Sequence, residues 1–328
     1  MSGATTKVSS SMELITLGTQ AGPAIRVNET GIASAVVVGG NFYMVDFGLG
    51  CTRAAHSAGL RGRRFRAGFI THLHSDHVIE LPGFLLWNWG HQVEGFESRV
   101  ELYGPGQDVD DRHHAALAGT AGMVQHLMKA FAYDLHIRTR DEGRPPLNSL
   151  IETTEIPHPL AGTPGAGRPF TVFEDNYIQV SAVLVDHPPV RPALAFRFDT
   201  EDGSVTFSGD TAECSALVEL AQGTDILVHE AVNLDYYLAH DFNEEFINHQ
   251  RQSHTSPEGA GRVAQRAGAK TLVLSHLAGV GSHNFWQERA ARTFDGTIHV
   301  ARSGDRFRLA GDAASRHVRS VPHESILQ

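Results

Sequence analysis

A chain of 328 residues with 41% hydrophobic content and 33 glycines can bury a large core, as one sizeable domain or two modest ones. Its formal charge of −10 gives no global attraction to nucleic acid or to an anionic membrane. Only Cys51 and Cys214 occur, at a spacing that fits no zinc-finger or redox pattern, so a metal would have to be held by histidine and carboxylate.

The opening MSGATTKVSSSME is small and polar and predicts a flexible N-terminus over residues 1–11. It lacks the apolar core of a leader, and no apolar run reaches membrane-spanning length, so the default expectation is a cytoplasmic protein. LITLG (14–18), ASAVVVGG (33–40) and FYMVDFG (42–48) read as strands joined by glycine-rich turns, and AGFITH (67–72) as a buried strand. Residues 105–170 combine one helix, Ala115 to Ala132, with proline- and glycine-rich loops, and read as a lid-like insertion. Further on, 193–199 and 204–210 flank Asp202-Gly203 as a hairpin, followed by an amphipathic helix closed by Gly223 and a strand at 225–230. In the next unit Thr255 or Ser256 can cap a helix, Pro257 suits its first turn, Gly268 ends it, and strand 271–275 leads to His276. After Gly311 the sequence is a polar tail, 311–328.

The stretch FITHLHSDHVIELPGF places His72, His74, Asp76 and His77 at the end of a buried strand. In an extended loop His72 and His74 project to one side and can grip one ion, while Asp76 and His77 turn toward a second position. Imidazole and carboxylate suit zinc, with manganese or iron as alternatives. Two ions about 3.5–4 Å apart would share a hydroxide, the nucleophile of two-metal hydrolysis. The cluster supplies too few ligands for two ions, and His187, Asp210 and His276, each at a strand end, are candidates for the rest.

HLHSDH followed by these residues resembles the metallo-β-lactamase superfamily, whose HxHxDH signature belongs to a four-layer αββα sandwich. LGTQAGP, LYGPG, FSGDT, VHEA and SHTS are similar to its ribonuclease Z-like and arylsulfatase-like branch. The resemblance covers about residues 12–310 and implies one catalytic domain. It implies that His72, His74 and His187 hold a first metal, that Asp76, His77 and His276 hold a second, and that Asp210 bridges them. Asp76 would also serve catalysis. His254 would donate a proton to the leaving group, oriented by Glu230, with His229 a structural neighbour.

In ribonuclease Z a long tRNA-binding arm lies between the residues matching His187 and Asp210, and here a hairpin fills that interval. The expectation is therefore a dinuclear hydrolase of a small aromatic or cyclic substrate: sulfate ester, phosphodiester, lactone, carboxylic ester or amide. Nucleic acid and membrane are not expected as partners, and a homodimer is the protein assembly considered. A tRNA 3′-processing endoribonuclease and an iron-dependent oxidoreductase on the same fold are the competing readings. Flavodiiron relatives carry glutamate where His74 stands, which opposes the second.

For substrate contacts, Arg191 is placed to meet an anion. Trp87, Trp89, Phe131 and Tyr133 are candidates for an apolar wall. His158 and His283 are candidates for the pocket border, whereas His113 and His114 read as a solvated helix start. The arginine-rich RGRRFR (61–66) reads as a solvated connection.

Overall fold

The computed structural model describes residues 11–27, 29–110, 115–157, 167–310 and 317–321. Residues 1–10, His113, His114, His158 and positions 311–316 and 322–328 lie outside the described residues, so the expectations for them stay as stated.

Two mixed sheets face each other. The first runs, in spatial order, His317–Val321, Asp305–Ala310, Met12–Gly18, Ala33–Val38, Asn41–Val45, Phe65–Phe69, Val100–Pro105 and Ile151–Ile156. The second runs Thr297–Val300, Thr271–Ala278, Ile226–Val232, Ser204–Phe207, Leu194–Asp199, Gln179–Leu184 and Phe170–Glu174. Part of the expected tail is thus an edge strand, His317–Val321, paired antiparallel with Asp305–Ala310.

Side-chain alternation explains the layering. Along Met12–Gly18, Leu14 joins the core between the sheets while Ile15 and Leu17 join a second core on the outer face. Strand Asn41–Val45 divides likewise, Tyr43 and Val45 inward, Phe42 and Met44 outward. In the second sheet Ile226 and Val228 point inward, whereas Leu227 and Ala231 meet a third core. A strand apolar on both faces has to be covered on both. Helices Cys51–Ser57, Leu81–Trp87 and Thr120–Ala130 cover the first sheet, and Ser215–Leu220, Pro257–Ala267 and His283–Ala290 the second. The result is the expected αββα sandwich.

The capped unit forms as its sequence predicts. Ser256 accepts from Gly259 N–H, Pro257 opens the helix, and Gly268 closes it at φ 62°. The insertion departs from expectation. Ala115–Leu117 is a short strand, paired with Asp108–Asp110, and the helical part splits into Thr120–Ala130 and Ala132–Asp141. Gly119, whose backbone packs against Gly106 and Glu155, separates strand from helix. The described part of the insertion packs Val124, Leu147 and Leu150 on the outer face of the first sheet, because that face is apolar, and so does not roof the site.

Strands Asn41–Val45, Phe65–Phe69, Val100–Pro105 and Ile151–Ile156 are mutually parallel, and so are Ser204–Phe207, Ile226–Val232, Thr271–Ala278 and Thr297–Val300. The C-terminal ends of these strands bring the site residues to one edge of the sandwich, where open α/β sheets place their ligands. His72 and Asp210 stand on the loops that follow, and Glu230 and His276 within the last residues of strands Ile226–Val232 and Thr271–Ala278.

Candidate metal centre

Seven side chains meet at this edge. His72 Nε2 lies 2.9 Å from His74 Nδ1, and His187 Nε2 lies 3.4 Å from that same atom. Asp210 Oδ2 is 3.8 Å from His72 Nε2. In a second group His77 Nε2 approaches His276 Nε2 at 3.2 Å, with Asp76 Oδ2 3.4 Å from the latter. Asp210 Oδ1 stands between the groups, 3.5 Å from His77 Nε2 and 3.3 Å from His276 Nδ1.

Hydrogen bonds set which nitrogens face inward. Asp46 accepts from Thr71 N–H (2.8 Å), from the Thr71 hydroxyl (2.9 Å) and from His77 Nδ1–H (2.8 Å), leaving the Nε2 lone pair of His77 directed at the site. His187 Nδ1–H donates to the Ser253 carbonyl at 2.8 Å, with the same consequence. Burial holds the His72 imidazole well below its ordinary range and lowers His187 to about 3, so both are neutral donors of a lone pair. Burial acts on His77 too, but the Asp210 and Asp46 carboxylates overcome it and raise that group.

The donor set fits two small divalent cations. Converging imidazole lone pairs repel one another unless a cation lies between them, and Asp210 Oδ1 and His276 Nδ1 are buried without a hydrogen-bond partner. Ligand nitrogens backed by a carboxylate or carbonyl on the other ring nitrogen are the usual arrangement at metal sites. Two residues at this edge, Asp46 (φ 61°) and His276 (φ 44°), hold backbone conformations that side chains other than glycine seldom adopt, as happens at functional sites.

Beside this centre His254 Nδ1–H donates to Glu230 Oε1 at 2.9 Å, and the same oxygen accepts from Thr211 N–H at 2.9 Å. Burial would lower His254, but the Glu230 carboxylate reverses this and holds it at about 9. His229 turns its Nδ1 to the Glu230 carbonyl, 2.8 Å away.

The expected substrate contacts fare differently. Trp89 is fully buried in the outer core, its indole N–H donating to the Pro145 carbonyl, with the Arg144 guanidinium over its ring. Trp87 is 76% and Tyr133 84% exposed, and Phe131 is also exposed, on the insertion side of the first sheet. These aromatics form no wall of the site. The apolar hollow beside Asp76, about 210 Å³, is lined instead by Pro23, Ala24, Ile25, Leu49 and Ile79. Arg191 is exposed on the loop following His187, and His283 is exposed at the start of its helix. Arg61 and Arg63 both pair with the one Glu94 carboxylate, which offsets one of the four charges of the arginine run.

Sequence reasoning missed Asp46, Thr71, His249 and Ser253. The first carried a signal, an aspartate closing the apolar run FYMVD at a strand end. Helix Glu244–Ser253 brings the last two to the site, which depends on packing between distant segments.

The sequence matches the Beta-lactamase superfamily domain over residues 43–277. The chain belongs to this superfamily. Among its relatives is a ribonuclease Z of Mycobacterium bovis (strain BCG / Pasteur 1173P2), 29% identical over 295 residues, covering 88% of this chain and 95% of the relative. Another, the ribonuclease Z of Mycobacterium sp. (strain KMS), is 30% identical over 297 residues, 88% of this chain and 93% of the relative. Two superfamily structures share the fold at 18% identity. The metallo-β-lactamase fold protein YhfI of Bacillus subtilis has a TM-score of 0.61 over 91% of this chain and 99% of its own. Human tRNase Z, short form, has 0.60 over 90% and 98%. As a superfamily member related to ribonucleases Z, with clustered histidine and aspartate ligands, the protein is a metal-dependent hydrolase. The names of its relatives weigh against the expectation that nucleic acid is no partner. Among the described residues no helix is long and apolar enough to cross a membrane.

Proposed function

We propose that the protein hydrolyses phosphodiester bonds, with RNA at the 3′ end of a precursor tRNA as the leading substrate. The carrying observation is the His254–Glu230 pair beside the candidate centre. Hydrolysis of an RNA phosphodiester expels an alkoxide, a poor leaving group that departs far more readily when it receives a proton. A histidine bound to a metal lacks that proton, whereas His254 is outside the seven-residue centre and the Glu230 carboxylate beside it raises its affinity for one. The relationship to ribonucleases Z over 88% of the chain supports RNA as the carrier of the bond.

In this reading His72, His74 and His187 would hold one ion and Asp76, His77 and His276 the other, with Asp210 available to both groups. Bound there, two divalent cations, zinc first among them, would supply a nucleophile at neutral pH and charge to stabilise the departing oxygen. Asp46 fixes the His77 ring, the Ser253 carbonyl fixes His187, and Glu230 fixes His254 with its proton directed at the leaving group. The hollow of Pro23, Ile25, Leu49 and Ile79 shields an apolar or planar part of the substrate from water.

A specific observation supports a second reading, a small phosphodiester. Between His187 and Asp210 the chain forms only strands Leu194–Asp199 and Ser204–Phe207, with residues 200–203 as their turn, so no long arm emerges there. Incubating the metal-loaded protein with a precursor tRNA bearing a 3′ trailer, and in parallel with bis(4-nitrophenyl) phosphate, separates the two. Endonucleolytic release of the trailer is the expected result. Hydrolysis of the small diester alone would favour the second reading. Hydrolysis of neither, with turnover of a lactone or carboxylic ester, would overturn both.

A further inference from the structure

Helix Glu244–Ser253 carries a histidine that neither the seven-residue centre nor the His254–Glu230 pair uses. His249 is half-buried, its ring centroid 5.6 Å from His187 and 5.4 Å from His254. One ligand-capable atom from each of these three residues lies within 4.8 Å of the other two.

The hydrogen-bond network assigns their tautomers. His187 Nδ1–H donates to the Ser253 carbonyl at 2.8 Å, and His254 Nδ1–H to Glu230 Oε1 at 2.9 Å. Ser253 Oγ gives its own proton to the Pro188 carbonyl, so toward His249 Nδ1, 3.2 Å away, it acts as acceptor. In all three rings the Nδ1 side is committed to a protein acceptor, which leaves the lone pair of each neutral ring on Nε2. Imidazoles braced in this way are the donor pattern of a cation site. With a single lone pair available, His187 serves one ion at a time, and the buried centre claims it first.

We propose that His249 and His254 form a further divalent-cation site, weaker and more exposed than the buried centre. A zinc-like ion fills it once the inner positions are loaded, with water completing its shell. Occupancy places a cation on His254 and removes its proton, so excess metal slows turnover. That last consequence rests on His254 as proton donor, whereas the site itself does not.

Equilibrium dialysis of the metal-loaded full chain against rising zinc, followed by metal counting, tests the site without reference to turnover. Wild type is expected to take up one equivalent more than His249→Phe at zinc concentrations above those that load the inner centre. In the variant the zinc concentration giving half-inhibition should rise by about tenfold or more. Should His249→Phe fail to fold, His249→Gln, which keeps this half-buried position polar, carries the same comparison. Equal uptake by variant and wild type overturns the site. Loss of an equivalent already at low zinc overturns it too, because His249 would then belong to the inner centre. Different uptake with unchanged inhibition upholds the site and counts against His254 as the proton donor.

Discussion

Asp46 accepts three hydrogen bonds while holding φ at 61°, a conformation that aspartate and asparagine tolerate better than most residues. Asp46→Asn should therefore keep the fold but replace an oxygen that accepts from Thr71 and His77 with an amide that cannot. Metal affinity is expected to fall by about 10–100-fold, measured by competition with a chromophoric chelator. Unchanged affinity would mean that Asp46 braces the loop alone. His254→Ala should keep its metal yet lose about 10²–10⁴-fold in rate on diesters with alkoxide leaving groups. Nitrophenolate, stable without a proton, should leave with much smaller loss. Equal losses on both substrates, or lost metal, would show His254 to be a structural or ligand residue.

Strand ends and their loops set where these side chains stand. Gly209, at φ 59°, precedes Asp210, and a Cβ there would meet the Leu194 carbonyl oxygen at 2.5 Å and Thr71 Cβ at 3.0 Å. Gly209→Ala must displace the loop that carries Asp210. About 1–3 kcal/mol of stability should be lost by denaturant titration, with weaker metal binding alongside. Wild-type stability and metal content in that variant would show the loop to be pliable. Elements with local signals were legible in the sequence. Helix Pro257–Ala267 has its cap, its proline and its closing glycine, and the strand before His72 and the strand that carries His276 are apolar runs. The break between Ala115–Leu117 and Thr120–Ala130 was not legible, because Gly119 is fixed by contact with Glu155, far along the chain. Nor was the fate of Trp89, which depends on Pro145 and Arg144 closing over it. His249 escaped notice because its spacing of five from His254 carries no local signal, and only the end of helix Glu244–Ser253 and its packing against His187 bring the two rings together.

At the scale of the whole molecule, the sandwich brings buried lone pairs and a buried carboxylate together from both sheets. Cations bound only by the folded chain stabilise it by mass action, and their removal leaves Asp210 and its histidines uncompensated. Chelation should therefore lower the thermal midpoint by several degrees, reversed by adding back zinc, as read by calorimetry. An unchanged midpoint would mean that the seven residues hold no structural charge deficit. The αββα architecture was legible through the resemblance carried by HLHSDH and the later His187, Asp210 and His276. The substrate was not, because it depends on surfaces such as the Ile25–Leu49–Ile79 hollow that have no sequence signature. The most direct test of the two-ion centre is metal content and hydrolysis rate measured on one preparation each of wild type and Asp210→Ala. The arrangement predicts two divalent ions per wild-type chain, and in the variant reduced metal and abolished turnover together. A fully metallated Asp210→Ala protein that turns over at a near-normal rate would contradict it.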